Sequence, residues 1–409
     1  MTITLGKGEG LLTAPLVEDP YPFYDELRRH APVWRVPGTN LFLVSSWSLA
    51  AEAAARVEDF SNHFRHTLFS SEDGTLGVVD NGEAGAPDVF AGADPPAHTA
   101  HRRVFFPELV QARMGQLEPA VVALADELLN GLLEEESFDA AAALADPLPL
   151  RIMAEGVVGF RDADLALVQR WVFAGSRVTL GGRLDLAGIA AAGAEAAGMW
   201  PWVAEQLEAA LADPSGEDVL GAAAEGVRAG TLSADEAAFT LMVLLGAGAE
   251  TTTSLIGNAV RILAEHPSLQ DELRANLDLV PPFVEEVLRF ESPFRFHPRL
   301  ARGPVELDGV EIPDRAMVAL LWGAANRDPA VFERPGEFVL GRSNIRQHLA
   351  FGRGIHHCVG APLARLESRV VLSRLLTRTR RVALAHAPRW VDSLWIRRHE
   401  RLPVVVEPA

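Results

Sequence analysis

The sequence predicts a mainly α-helical fold with a small β region. Three observations carry that prediction. From Ala97 to Arg274, apolar residues recur at three- and four-residue spacing in Ala- and Leu-rich runs broken at Pro and Gly. Within that stretch, Ser233 and Glu236 have the spacing of a capping box, and no proline follows until Pro267, so one helix is far longer than its neighbours. After Arg289 the pattern changes to short apolar runs separated by turn residues, the mark of strands.

The elements follow in order. Asp19-Pro20-Tyr21-Pro22 opens an amphipathic helix over Phe23 to Arg29, and Val33 to Val44 reads as a β-hairpin turning at Pro37-Gly38. The stretch from Phe60 to Asp94, rich in Gly, Ser and Asp with scattered Phe64, Phe69 and Phe90, predicts a long functional loop. The long helix runs from Ser233 to a stop at His266-Pro267, roughly 48 Å at about 1.5 Å per residue. Val305 to Ile312 carries an Asp308-Gly309 hairpin turn, and Met317 to Trp322 is an apolar strand. A helix from about Ala361 to Leu376 and strands ending in Val404-Val405-Val406 close the chain. No repeat and no Ser/Gly linker divides it, so a single domain over residues 1–409 is expected.

The net charge of −18 over 409 residues argues against a nucleic-acid binder, whose footprint would be basic. Cys358 is the sole cysteine, which excludes an internal disulfide and fits a reducing compartment. No apolar run follows Lys7, and the longest one, Ala237 to Ala249, is shorter than the roughly 18 residues that span a bilayer. A soluble cytoplasmic protein without a membrane anchor is expected.

The chemistry concentrates in His348-Leu349-Ala350-Phe351-Gly352-Arg353-Gly354-Ile355-His356-His357-Cys358-Val359-Gly360-Ala361. Gly352 and Gly354 allow a tight turn that brings amide groups toward the sulfur, and the helix start just beyond favours thiolate over thiol. Gly360 leaves room for something flat. A rigidly held, low-pKa sulfur facing a flat partner suits axial ligation of haem iron. Two other readings are a small buried hydrophobe and a nucleophile with His356 or His357 as base.

The order Phe351, Gly354, His356, Cys358, Gly360 resembles the signature of the cytochrome P450 family of haem-thiolate monooxygenases, and the resemblance extends along the chain. It implies the cytochrome P450 fold, with heme b between the long helix and the helix after Cys358, which is the metal ligand. Glu286-Val287-Leu288-Arg289 resembles the family's Glu-x-x-Arg ion pair; where many relatives add an arginine this chain has Pro335-Gly336-Glu337-Phe338, and His348 is the expected substitute. His98 and Arg102, four apart on one helix, with Arg299 and His356, match positions that hold the haem propionates. Phe351 and Gly360 flank the ligand, and Ala247 and Gly248 let the long helix pass close over the cofactor. Glu250-Thr251 resembles the family's acid–alcohol pair, with Glu250 relaying protons and Thr251 bonding back to an earlier carbonyl beside the oxygen.

The implied activity is insertion of one atom of dioxygen into a lipophilic small molecule, by hydroxylation or epoxidation, with electrons from NAD(P)H through a separate ferredoxin and its reductase. A peroxide-using peroxygenase and a catalytically silent haem protein that binds ligand are the alternatives; the first lacks the acid–alcohol pair that Glu250-Thr251 matches. Residues 341–370 hold Arg342, Arg346, Arg353, Arg365 and Arg369 against Glu367 alone, a local basic face suited to an acidic electron donor. Phe64, Leu68, Phe69, Val78, Leu244, Leu245, Ala249, Phe294, Phe296, Leu394 and Trp395 are expected to wall an apolar substrate cavity, with Arg295 and His297 placed to meet a carboxylate or carbonyl.

Overall fold

The computed structural model describes residues 14–63, 66–70, 76–80, 87–180, 185–213, 216–393 and 395–409. At its centre lies the helix Ala234–Glu265. The Ser233 hydroxyl accepts from the Glu236 amide at 3.1 Å while the Glu236 carboxylate accepts from the Ser233 amide at 2.7 Å, so the capping box forms as read. By length and composition this helix passes for a membrane span, but 61% of its most apolar window is buried inside the protein. A helix apolar on nearly every side belongs in a core. It packs against Leu165–Leu180, Met199–Ala212, Val219–Arg228 and Ala361–Arg378. The last of these begins directly after the cysteine loop, with Pro362 in its first turn.

The small β region lies to one side. Its main sheet has the order Val33–Arg35, Leu41–Val44, Met317–Leu320, His297–Ala301, Phe60–Ser61. Met317–Leu320 runs parallel to Leu41–Val44 with Val318 opposite Phe42, and antiparallel to His297–Ala301 with Val318 opposite Arg299. This register places Arg299 on a central strand. The Asp308-Gly309 turn has φ of 53° and 73°, the left-handed pair that a tight hairpin requires. A second sheet joins Thr379–Leu384, Pro403–Pro408 and Ser137–Asp139.

Two expectations change. The stretch 60–94 is not one loop: Phe60–Ser61 edges the main sheet, and His66–Ser70 pairs with Leu76–Asp80 in a hairpin. Its β-prone residues, Thr67, Leu68, Val78 and Val79, were masked by the polar Gly/Asp composition around them. The Met317 run ends as a strand at Leu320, because Trp322 starts a short helix and donates to His297 Nδ1 at 2.6 Å.

Candidate active site

The loop before the cysteine closes on itself: the Cys358 amide donates to the Phe351 carbonyl at 2.9 Å. Gly352 and Gly354 take φ of 68° and 77°, where a side chain would be strained, and a Cβ on Gly354 would lie 3.0 Å from the Ala54 carbonyl oxygen. Cys358 is left accessible. Crowding by protein pushes its thiol above the ordinary value, while the Gly360 and Ala361 amides, Arg365 and Arg102 pull the other way. The helix start therefore does not by itself make a thiolate, contrary to the sequence reading. Coordination to a metal ion would remove that proton outright. Amides, not an imidazole, are what point at the sulfur, which disfavours a Cys–His nucleophile.

Behind the loop, Arg289 donates all five of its N–H groups: twice to Glu286 at 2.7 and 2.9 Å, and to the carbonyls of Asn326, Pro335 and Glu337 at 2.9 Å each. Both partners of the pair are fully buried. Here the expectation about His348 is wrong. Arg342, four residues beyond Phe338, reaches Glu286 at 3.3 Å, while His348 bonds the neighbouring carboxylate, Glu285, at 3.0 Å. Glu285 also receives Arg365 at 2.5 and 3.0 Å. Burial would raise its carboxyl, but His348 and Arg365 bring it down to about 2. The Arg365 guanidinium lies over the Phe351 ring at 4.5 Å, so this cluster buttresses the cysteine loop.

On the other flank the predicted anion-binding residues converge. The His98 and His356 rings are 4.1 Å apart. Arg102 donates to the carbonyls of Ile355 and His357 at 2.8 and 3.2 Å, tying its helix, Ala97–Leu109, to the loop. Arg299 is buried and donates to the adjacent Pro298 carbonyl. Burial, then the nearby His98 and Arg299, lowers His356 to about 3. His356 Nε2 is buried with no hydrogen-bond partner among the described residues. Asp94, the nearby carboxylate, is engaged by Ser61, Asn62 and Arg302. A buried cation and an orphaned ring nitrogen of this kind call for an anionic ligand. The two carboxylates of heme b fit that demand, and the accessible sulfur at the end of the same loop fits its iron.

Along the central helix the open face is Val243, Ala247 and Thr251, four residues apart. Leu244, Leu245 and Ala249, expected as cavity walls, are buried in the core instead. The helical phase could have shown this once Thr251 was fixed as facing the site; Val243 was missed. Thr251 donates to the Ala247 carbonyl at 2.7 Å, as expected. Thr252 is buried, and Thr253 donates to the Ala145 carbonyl at 2.9 Å. Gly248 does not serve the open face: a Cβ there would meet Met153 Sδ at 2.5 Å, so it admits a neighbouring side chain. Glu250 is buried beside Arg398, at 3.3 Å. Burial raises its carboxyl, against the pull of Arg398.

Of the expected cavity walls, Phe296 and Trp395 pack edge to face at 4.9 Å, and Leu68 is buried. Phe64 and Leu394 lie outside the described residues, as do the side chains of Phe69 and Val78. Arg295 does not face a substrate; it is buried and donates to the carbonyls of Leu16 and Val17. His297 is occupied by Trp322.

The family model for cytochrome P450 matches residues 206–381. The chain is 39% identical over 395 residues to cytochrome P450 144 of Mycobacterium tuberculosis, covering 96% of this chain and 90% of that one. It is 32% identical over 399 residues to the beta-dihydromenaquinone-9 omega-hydroxylase of Mycobacterium bovis, covering 96% and 77%. The solved structure of cytochrome P450 CYP109Q5 from Chondromyces apiculatus superposes with a TM-score of 0.84 at 32% identity, covering 98% of each chain. Sequence, fold and a cysteine loop poised beside an anion-seeking cluster agree: the chain belongs to the cytochrome P450 family, the heme b-binding oxidoreductases that incorporate oxygen from O2.

Proposed function

We propose that this protein is a haem-thiolate monooxygenase in which Cys358 ligates the iron and His98, Arg102, Arg299 and His356 hold the propionates, acting on a lipophilic small molecule. The observation that carries the reading is the accessible Cys358 sulfur in a rigid loop adjoining the buried Arg299 and the His356 ring, whose Nε2 has no partner among the described residues. When bound, heme b supplies the activation of dioxygen for insertion into a carbon centre. The protein's residues do the rest. Arg299 and His356, desolvated and without carboxylate partners of their own among the described residues, anchor the cofactor's acidic edge. The Val243–Ala247–Thr251 stripe gives a thin wall that admits a small molecule while the flanking apolar side chains exclude water. Glu250 takes up a proton and passes it toward the Thr251 hydroxyl, which its bond to Ala247 fixes in place.

The chain acts as a single catalytic unit that takes electrons from NAD(P)H through a separate ferredoxin and reductase. Part of the basic face is consumed in ion pairs: Arg342 with Glu286, Arg365 with Glu285, Arg369 with Glu118. Arg346 and Arg353 are exposed and, among the described residues, have no carboxylate partner, which supports them as contacts for an acidic donor. A lipophilic substrate is supported by the apolar Phe296–Trp395 pair and by the relative named for a menaquinone hydroxylation. Titration of the ferric protein with lipophilic compounds, followed by turnover with a surrogate ferredoxin pair, tests the reading. Spin-state shifts and oxygenated product are expected; NAD(P)H consumption that no binding compound stimulates would contradict it.

A further inference from the structure

The Glu250 carboxylate shares its counter-ion. Arg398, just ahead of the strand His399–Arg401, places Nε 3.3 Å from Glu250 Oε1 and Nη1 3.7 Å from Asp146 Oδ1. The three side chains are 7%, 10% and 11% exposed, so the cluster is almost out of water. The guanidinium also lies over the Phe173 ring at 4.1 Å. Neither contact is an aligned hydrogen bond: among the described residues, Arg398 Nε and Asp146 Oδ1 both lack a hydrogen-bond partner. Two carboxylates thus compete for one loosely held cation. A buried cluster with one charge too many of one sign relieves it by keeping a proton.

The remaining groups around it do not change the count. Ser176, on the helix Leu165–Leu180, lies beside Glu250 and favours its ionised form without adding a charge. Asp139 lies behind Asp146 and is paired to the exposed Arg401 at 3.5 Å. His399, stacked on Trp390 at 3.8 Å, is kept neutral by burial and by the arginines near it. Burial, with Glu250 and Asp139 adding to it against Arg398, lifts the Asp146 carboxyl to about 6.

We propose that Arg398 and Asp146 are positioning residues that decide when Glu250 holds a proton: Arg398 keeps Glu250 ionised, and Asp146, by competing for the same guanidinium, loosens that hold. Protonating Asp146 gives Arg398 wholly to Glu250; ionising it divides the cation and lets Glu250 take up the proton it must pass on. This inference rests on the reading of Glu250 as the proton donor to Thr251.

The test uses ferric holoprotein whose thiolate ligation has first been verified spectroscopically, so that failure of the haem assignment is seen separately. Infrared difference spectra record the carbonyl stretch of protonated carboxyls against pH, with Glu250→Gln identifying the band of Glu250. Arg398→Met should bring up that band at neutral pH, and Arg398→Lys should suppress it again. Asp146→Asn, a mild change that preserves packing, should lower the Glu250 titration midpoint by about one pH unit or more. A Glu250 band unmoved in both Arg398→Met and Asp146→Asn would overturn the proposal. So would an equal shift in Arg398→Met and Arg398→Lys, which would mark loss of structure in place of loss of charge.

Discussion

Arg342 Nε lies 3.3 Å from Glu286 Oε2, with the two side chains 6% and 0% exposed. Glu286 is thereby shared by two guanidiniums, its own helix partner Arg289 and one brought from 56 residues away. Removing one member of such a group strands buried charge.

Glu286→Ala should therefore cost about 3–5 kcal/mol and abolish haem retention, since both arginines lose their counter-ion. Arg342→Met, which leaves Arg289 fully bonded, should cost about 1–3 kcal/mol. His348→Ala should leave the Glu286 group intact and act through Glu285 and the Ala350 amide. Thermal unfolding of the three variants checks the ranking.

Acid stability should depend on Glu285. Its carboxyl is held down to about 2 from an ordinary 4.5, so its contribution is fully present above the ordinary value and is lost as pH falls toward about 2. Glu285→Gln should be less stable at neutral pH and show a flatter loss of stability through that window. A parallel pH profile for variant and wild type would mean that His348 and Arg365 do not act through this carboxylate.

Thr251→Ala should retain haem and bind substrate normally, because among the described residues the hydroxyl bonds only the Ala247 carbonyl. Reducing equivalents should then appear as peroxide instead of product. Thr253→Val, by contrast, removes a buried bond to Ala145 and should lower stability by about 1 kcal/mol without altering the yield of product per NAD(P)H. Peroxide assays alongside product analysis separate the two.

Much of this was legible in the residues. The capping box at Ser233, the Asp308-Gly309 turn and the cysteine loop are local devices, and each formed where the sequence placed it. The Glu286–Arg289 pair was likewise readable, because spacing of three fixes it on one helix. What escaped were contacts between distant segments. Arg342 and His348 lie six residues apart, and only the path of the chain between Pro335 and Cys358 decides which carboxylate each one reaches. Gly248 looked like an open wall beside a cofactor, yet Met153 from another element fills that space. Arg398 gave no signal as the partner of Glu250, since nearly 150 residues separate them.

Electron delivery should be sensitive to charge at Arg346, which is exposed near the cysteine side. Arg346→Glu should slow reduction by an acidic ferredoxin, and the difference from wild type should shrink as salt screens charges beyond about 8 Å. Reduction by dithionite and substrate binding should be unchanged. Stopped-flow kinetics at several ionic strengths decide it; unchanged ferredoxin rates would place the docking face elsewhere.

The most direct measurement concerns Cys358. The reduced, carbon-monoxide-bound holoprotein should show the strongly red-shifted Soret band that thiolate ligation gives, and Cys358→Ala should lose it. Persistence of that band in Cys358→Ala, or its absence from the wild-type protein with haem bound, would contradict the assignment of this sulfur as the iron's ligand.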